Sequence, residues 1–220
     1  MSKTAPALLL SILTCVSPIT MVEAVPGTLI ATTESDAAST KELAIGMFEE
    51  CGLSGVMEQA AFLSAYTSVE RHGQQAGILA IADMTRPSTE KRLFIIDLPS
   101  RRLLLNTYVA HGQKTGELMA ERFSNRNGSH QTSLGLYRVG TEIVSPKHGA
   151  ALLLHGLDAN LNSLALEREI IMHGADYVSE AFIAAHGRLG RSWGCPAISR
   201  TDMPRMIELL ADGGLLYIHG

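Results

Sequence analysis

The sequence predicts a mainly β fold of the α+β class, and two observations carry that prediction. Apolar runs of strand length recur through the second half of the chain, while helical periodicity is confined to the N-terminal region and two short later segments. With 220 residues, 46% of them hydrophobic and 18% charged, the chain can bury one substantial core, in one or at most two domains.

Lys3, the apolar stretch from Ala7 to Val16 and the small-residue pattern Val22-Glu23-Ala24 read as an export signal over residues 1–24, with a mature start near Val25. The apolar stretch is shorter than the roughly 20 residues that a bilayer span needs, so no membrane anchor is expected after cleavage. Cys15 belongs to this stretch, and Ile12-Leu13-Thr14 lacks the small residue that directly precedes a lipidated cysteine. Residues 25–74 are expected to form a flexible segment followed by a short helical region. The Ser/Thr-rich stretch from Thr32 to Thr40 supplies the flexibility. Leu43, Met47, Leu53, Val56, Met57, Ala60, Phe62 and Leu63 then recur at helical spacing, broken at Gly52 and Gly55, which predicts two short helices between Lys41 and Tyr66.

From there the period changes. Leu93–Leu98 and Arg102–Val109 are apolar runs around Pro99-Ser100-Arg101, a hairpin pattern. Further strands are expected at Leu134–Val139, Ala151–His155, Glu169–His173 and Leu215–His219. A helix is expected over Asp176–Ala185, stopped by Gly187, and another over Thr201–Ala211, with Thr201 as its N-cap and Pro204 tolerated in the first turn.

Net charge is −4 with a pI near 6.1, and there is no block of Lys or Arg. Neither a nucleic acid nor an anionic membrane surface is implied as a partner. The chemistry instead gathers at Gly190-Arg191-Ser192-Trp193-Gly194-Cys195-Pro196-Ala197, where a cysteine sits in a turn-forming segment between glycine and proline. His173 ends an apolar run upstream, so a thiol and a base arrive on separate elements, as Cys/His nucleophilic catalysis requires. A thiol of ordinary pKa near 8.5 needs such a neighbour to raise its thiolate fraction, and His173 can then protonate a leaving amine. The turn itself, with Ser192, Gly194 and the backbone of Cys195, is suited to holding an oxyanion.

Competing readings are weaker. After signal removal Cys51 and Cys195 remain, and a disulfide between them would be the structural alternative in an oxidising compartment. Cys51, at the end of a helical pattern, suits packing equally well. His155, His173, His186 and Cys195 show no short metal-ligand spacing, so no metal site is expected. Ser192 stands in Arg-Ser-Trp-Gly, which is not the Gly-x-Ser-x-Gly nucleophile elbow.

His173-Gly174 followed by Ser192-Trp193-Gly194-Cys195 resembles the signature of the L,D-transpeptidase catalytic domain (YkuD-like) family. The resemblance extends to Phe123-Ser124-Asn125, Ser133–Tyr137, Leu154–Leu157 and His173–Val178, and covers roughly residues 75–220. It implies a β-sandwich-like catalytic domain over 75–220 with a few helices. It also implies that Cys195 forms a thioester with a peptidoglycan stem tetrapeptide, with His173 as base and acid. Transfer to an amine gives a 3-3 cross-link, transfer to water an L,D-carboxypeptidase or endopeptidase, and an inactive wall-binding module is a further alternative. Gly174 joins Ser192 and Gly194 in the supporting turn, and Trp193, Arg191 and Tyr177 are the expected substrate contacts. Acylation by carbapenems and a periplasmic or cell-wall location are implied, and no cofactor. Two departures stand out: Trp193 occupies the place of a motif histidine, and Pro196 that of an aliphatic residue.

Overall fold

The computed structural model describes residues 28–75 and 77–220, so the expected export signal lies outside the described residues. Helices α1 (Thr28–Glu50) and α2 (Gln59–Arg71) are followed by strands β1 (Ile78–Asp83), β2 (Leu93–Asp97), β3 (Arg102–Thr107), β4 (Gly135–Ser145), β5 (Gly149–Gly156) and β6 (Ile171–Gly174). Helix α3 (Glu180–His186), strand β7 (Ala197–Ile198), helix α4 (Met203–Leu210) and strand β8 (Leu215–His219) complete the chain.

All eight strands form one sheet in the order β3-β2-β1-β8-β4-β5-β6-β7. Pairing is antiparallel except between β1 and β8 and between β6 and β7. Just beyond β3, Ala110 pairs with Ala197 of β7 through N–H to carbonyl bonds of 2.8 and 3.3 Å. The two ends of the strand order therefore meet, and the sheet curls toward closure at the segment that carries the cysteine. This is the β-rich, sandwich-like architecture expected from the sequence.

Strand side chains alternate between the two faces, as a period of two requires. Leu79, Ile81, Phe94, Ile96, Leu136 and Leu215 pack with Phe48, Leu53, Phe62 and Val69 of the helical hairpin. Ala80, Ala82, Leu93, Ile95, Tyr137, Leu216 and Ile218 point the other way, toward Met172, Met203, Met206 and Leu210. Full burial of one such large apolar side chain contributes about 1.5–3 kcal/mol, so each face is firmly held. Cys51 belongs to the helical side and Cys195 borders the opposite core; both are free thiols. The sheet separates them, which rules out their pairing.

Several boundaries differ from expectation. Residues 32–40 lie within α1, because no glycine or proline interrupts the chain between Thr28 and Ile45. The breaks at Gly52 and Gly55 are as expected, both with positive φ. Strand β1 was missed: Ile78-Leu79-Ala80-Ile81-Ala82 is buried on both faces between β2 and β8, so it lacks alternation. Glu169 takes φ 54°, so β6 starts only at Ile171. Helix α3 begins at Glu180 rather than Asp176, because extended Ser179 caps it by accepting the Phe182 N–H at 3.2 Å. Asp202, not Thr201, occupies the N-cap of α4, and it accepts the Thr107 hydroxyl at 2.6 Å.

Beyond Val139 the β4–β5 register shifts, and from Glu142 onward β4 pairs with β5 alone. The bulge frees the outer half of the hairpin from β8. Its tip, Pro146-Lys147-His148, is carried toward the end of β6.

Candidate active site

His173 is pinned from both sides, its backbone paired with Ala151 of β5 and Ala197 of β7. The side chain is 1% exposed. Its Nδ1 lies 3.2 Å from the Gly174 carbonyl. A carbonyl only accepts, so Nδ1 carries the proton and Nε2 keeps its lone pair. Burial lowers the His173 pKa to about 4; the Gly174 bond opposes this, while His148, Arg200 and Lys147 add to it. The imidazole is therefore a neutral acceptor at neutral pH. His148, from the hairpin tip, stacks on it with ring centroids 3.7 Å apart.

The cysteine turn is built by Ser192, whose buried hydroxyl donates to the Cys195 carbonyl at 2.6 Å and accepts the Gly194 N–H at 3.0 Å. The segment 111–113 fixes the turn from outside, with Ser192 N–H on the His111 carbonyl at 3.1 Å and Gln113 N–H on the Ser192 carbonyl at 2.8 Å. Beneath that segment lies Arg92, fully buried, donating to His111 Nδ1 at 2.8 Å and to the carbonyls of Val109 and Arg86. Gly194 holds φ 126°, and a Cβ there would stand 2.9 Å from the Gln131 carbonyl, so the position requires glycine.

Cys195 is partly buried. Its Sγ donates to the Glu169 carbonyl at 3.8 Å. Burial raises the thiol pKa; the Ile171 N–H and the Arg168 charge work against it. Cys195 lies two residues before Ala197, the partner of His173, so strand pairing sets the backbone of the cysteine turn next to β6. Among the described residues no hydrogen bond joins Sγ to the imidazole, and the thiol must leave Glu169 to reach it.

The expected oxyanion turn needs two corrections. The Gly194 N–H is committed to Ser192, and Gly174 lies on β6, paired with Ile198, where its carbonyl orients His173. The Cys195 N–H faces its own sulfur, where it helps to lower the thiol pKa against the effect of burial.

Of the expected substrate contacts, Trp193 is 64% exposed, so it does not pack beneath the turn. Its ring stacks on His130 at 5.1 Å, and Lys147 Nζ sits 4.5 Å from its centroid, a cation–π contact. Arg191 is tied to Glu117 and to the carbonyls of Gln113 and Gly116, and Arg188 meets the same carboxylate at 3.0 Å. Tyr177 lines an open cleft of about 300 Å³ with Gln113, Phe182, Arg188, Gly190 and Arg191. Its buried hydroxyl has no hydrogen-bond partner among the described residues. His155, on β5, and His186, its ring tilted against Phe182, do not gather with His173; no group of three His, Cys, Asp or Glu among the described residues is arranged to hold a metal.

Sequence reasoning missed His148, Lys147, His130 and Arg168. The turn pattern Ser-Pro-Lys-His-Gly signals the hairpin tip, but nothing local says that a bulge directs it onto His173.

A buried neutral imidazole and a thiol in a rigid turn are groups suited to acyl transfer through a thioester. A family model for the L,D-transpeptidase catalytic domain matches residues 54–219. No curated protein matches the chain. Similar solved structures include an L,D-transpeptidase from Mycobacterium smegmatis, at 11% identity and TM-score 0.42, covering 66% of this chain and 59% of that one. Another, from Stackebrandtia nassauensis, has 14% identity and TM-score 0.40, covering 85% and 78%. A third, solved in complex with imipenem, has 10% identity and TM-score 0.39, covering 64% and 58%. With the family model matching most of its length, the chain belongs to the L,D-transpeptidase catalytic domain family.

Proposed function

We propose that this protein is an exported cysteine acyltransferase that forms 3-3 cross-links between peptidoglycan stem peptides. The observation that carries the reading is the β6–β7 pairing, which sets the Cys195 turn beside neutral His173 in a chain of this family.

His173 Nε2 takes the thiol proton, and the Cys195 thiolate attacks the carbonyl joining the L-centre of the third stem residue to D-alanine. The oxyanion meets the Cys195 N–H. Collapse breaks the amide bond, and His173 returns the proton to the departing D-alanine amine, leaving a thioester on Sγ. An amine of a second stem then attacks, giving its proton to His173, and the thiolate leaves. Tyr177, Trp193 and Arg191 border the path of the peptides. Export, indicated by residues 1–24, places the enzyme in the periplasm or cell wall.

Mass spectrometry of the protein with a disaccharide tetrapeptide tests this. An adduct of the tetrapeptide less D-alanine, absent in Cys195→Ala, and a dimer on addition of acceptor are expected. Tripeptide without dimer makes the enzyme a hydrolase, and the absence of any adduct overturns the reading. A carbapenem gives the same test of Cys195 with a reactive ring amide.

A further inference from the structure

Arg168 lies in the loop before β6, half-buried, and every hydrogen bond of its guanidinium goes to a neutral acceptor. Nη1 donates to the Ser124 carbonyl at 2.8 Å and the Ser133 hydroxyl at 2.7 Å; Nη2 donates to the Gln131 carbonyl at 2.6 Å and the Ser129 hydroxyl at 3.2 Å. Among the described residues it has no carboxylate partner. Glu167 takes the Asn127 amide instead, and Glu169 offers its backbone carbonyl to the Cys195 thiol. Four anchored donors fix the position of the charge without neutralising it.

That charge sits against the cysteine turn. A Cβ built on Gly194 would stand 3.2 Å from Arg168 Nη2, so the guanidinium touches the residue preceding the nucleophile. The Gln131 carbonyl that it grips is the same atom that approaches Gly194 most closely. Even a half-buried cation without a counter-ion carries a desolvation cost, which an anion formed beside it in the working state offsets.

Resting on the proposal that Cys195 is the nucleophile, we propose that Arg168 is a positioning residue whose uncompensated charge favours the Cys195 thiolate and holds the Gly194 turn through Gln131. The groups that face the sulfur are the Ile171 N–H at the start of β6, the Cys195 N–H, Glu169 and Arg168 from the loop before β6, Tyr137 from β4 and Tyr177 from the turn after β6. Of these, Arg168 is the cation. The resting thiol is shielded by burial, and Arg168 offsets part of that effect with no proton transfer of its own.

The test is the pH dependence of Cys195 alkylation by iodoacetamide, followed by intact mass in wild type, R168Q and R168K. In R168Q the midpoint is expected to rise by about one pH unit, a tenfold fall in thiolate below the midpoint. R168K, which keeps the charge, should return it to within about a third of that shift. A second variant, Ser129→Asp, places a carboxylate beside Nη2 and should raise the midpoint without removing the arginine, so the test stands even if R168Q does not fold. Midpoints unchanged in R168Q and in S129D, with only the melting temperature lowered, overturn the proposal. Alkylation does not depend on transpeptidation: failure of the Cys195→Ala adduct test strikes the enzymatic reading, whereas an unmoved midpoint strikes Arg168 alone.

Discussion

His148 lies on His173 with their imidazole planes 25° apart and centroids separated by 3.7 Å. The two rings come from separate hairpin and strand elements, and the bulge at Gly140 in β4 is what lets the first reach the second. Protonating one ring next to the other is disfavoured, and His148 itself is shifted down by burial, Lys147 and Arg200. His148→Ala should raise the His173 pKa and move the acid limb of Cys195 acylation to higher pH by about half a unit. His148→Phe, which retains the stack, should leave the limb near its wild-type position. The pH profile of carbapenem acylation reads both, and equal shifts in the two variants would rule out shielding by the ring.

Stability should follow the buried histidines. His173 and His111 are each held at about 4 by burial, against 6.5 for a free imidazole. Both folded pKa values lie below the unfolded one, so the unfolded chain binds more protons between pH 6.5 and 4. Their contribution is present above pH 6.5 and is lost as the pH falls through that window, at most about 3 kcal/mol for each. Thermal melts should show a falling midpoint from pH 6.5 to 4, and His173→Gln should flatten the slope. A flat wild-type profile would contradict neutral burial of the two rings.

Ser192 is expected to act through the turn rather than as a nucleophile. Its hydroxyl both donates to Cys195 and accepts from Gly194. Ser192→Ala leaves a buried N–H and carbonyl short of a partner, which should lower stability by about 1–3 kcal/mol. Acylation should slow about tenfold or more as the turn loosens, with Cys195 still the modified residue by peptide mapping. Loss of all adduct in a folded variant would instead make Ser192 part of the chemistry.

The strands legible in the sequence were those with turn signals beside them, such as the β2–β3 hairpin around Pro99-Ser100-Arg101. β1 escaped because burial on both faces erased its alternation, and β7 because two residues carry no period. The site was half legible. Cys195 and His173 are readable as reactive types and as a family motif, whereas Arg168 and His130 reach the turn, and His148 reaches His173, only through long-range folding. Arg92 is the extreme case: a fully buried arginine between two strand runs, whose purpose is visible only once His111 and the cysteine turn lie above it.

Trp193 is the sole tryptophan of the chain, exposed, with its face stacked on His130 and approached by Lys147. An exposed aromatic ring clasped by a cation contributes little to the core, since no apolar cluster encloses it. Trp193→Ala should therefore leave the melting temperature within about 2 °C of wild type. Its ring stands one residue from Cys195, so under the proposed function a stem peptide arriving at Cys195 passes or covers it. KM for the tetrapeptide should rise several-fold in Trp193→Ala with kcat less affected, the pattern of lost binding equal in ground and transition states. The same indole gives a direct readout in wild type: its fluorescence should change on titration with tetrapeptide in the Cys195→Ala background, where no thioester can form. A titration without any fluorescence change, together with an unaltered KM in Trp193→Ala, would remove Trp193 from the substrate path.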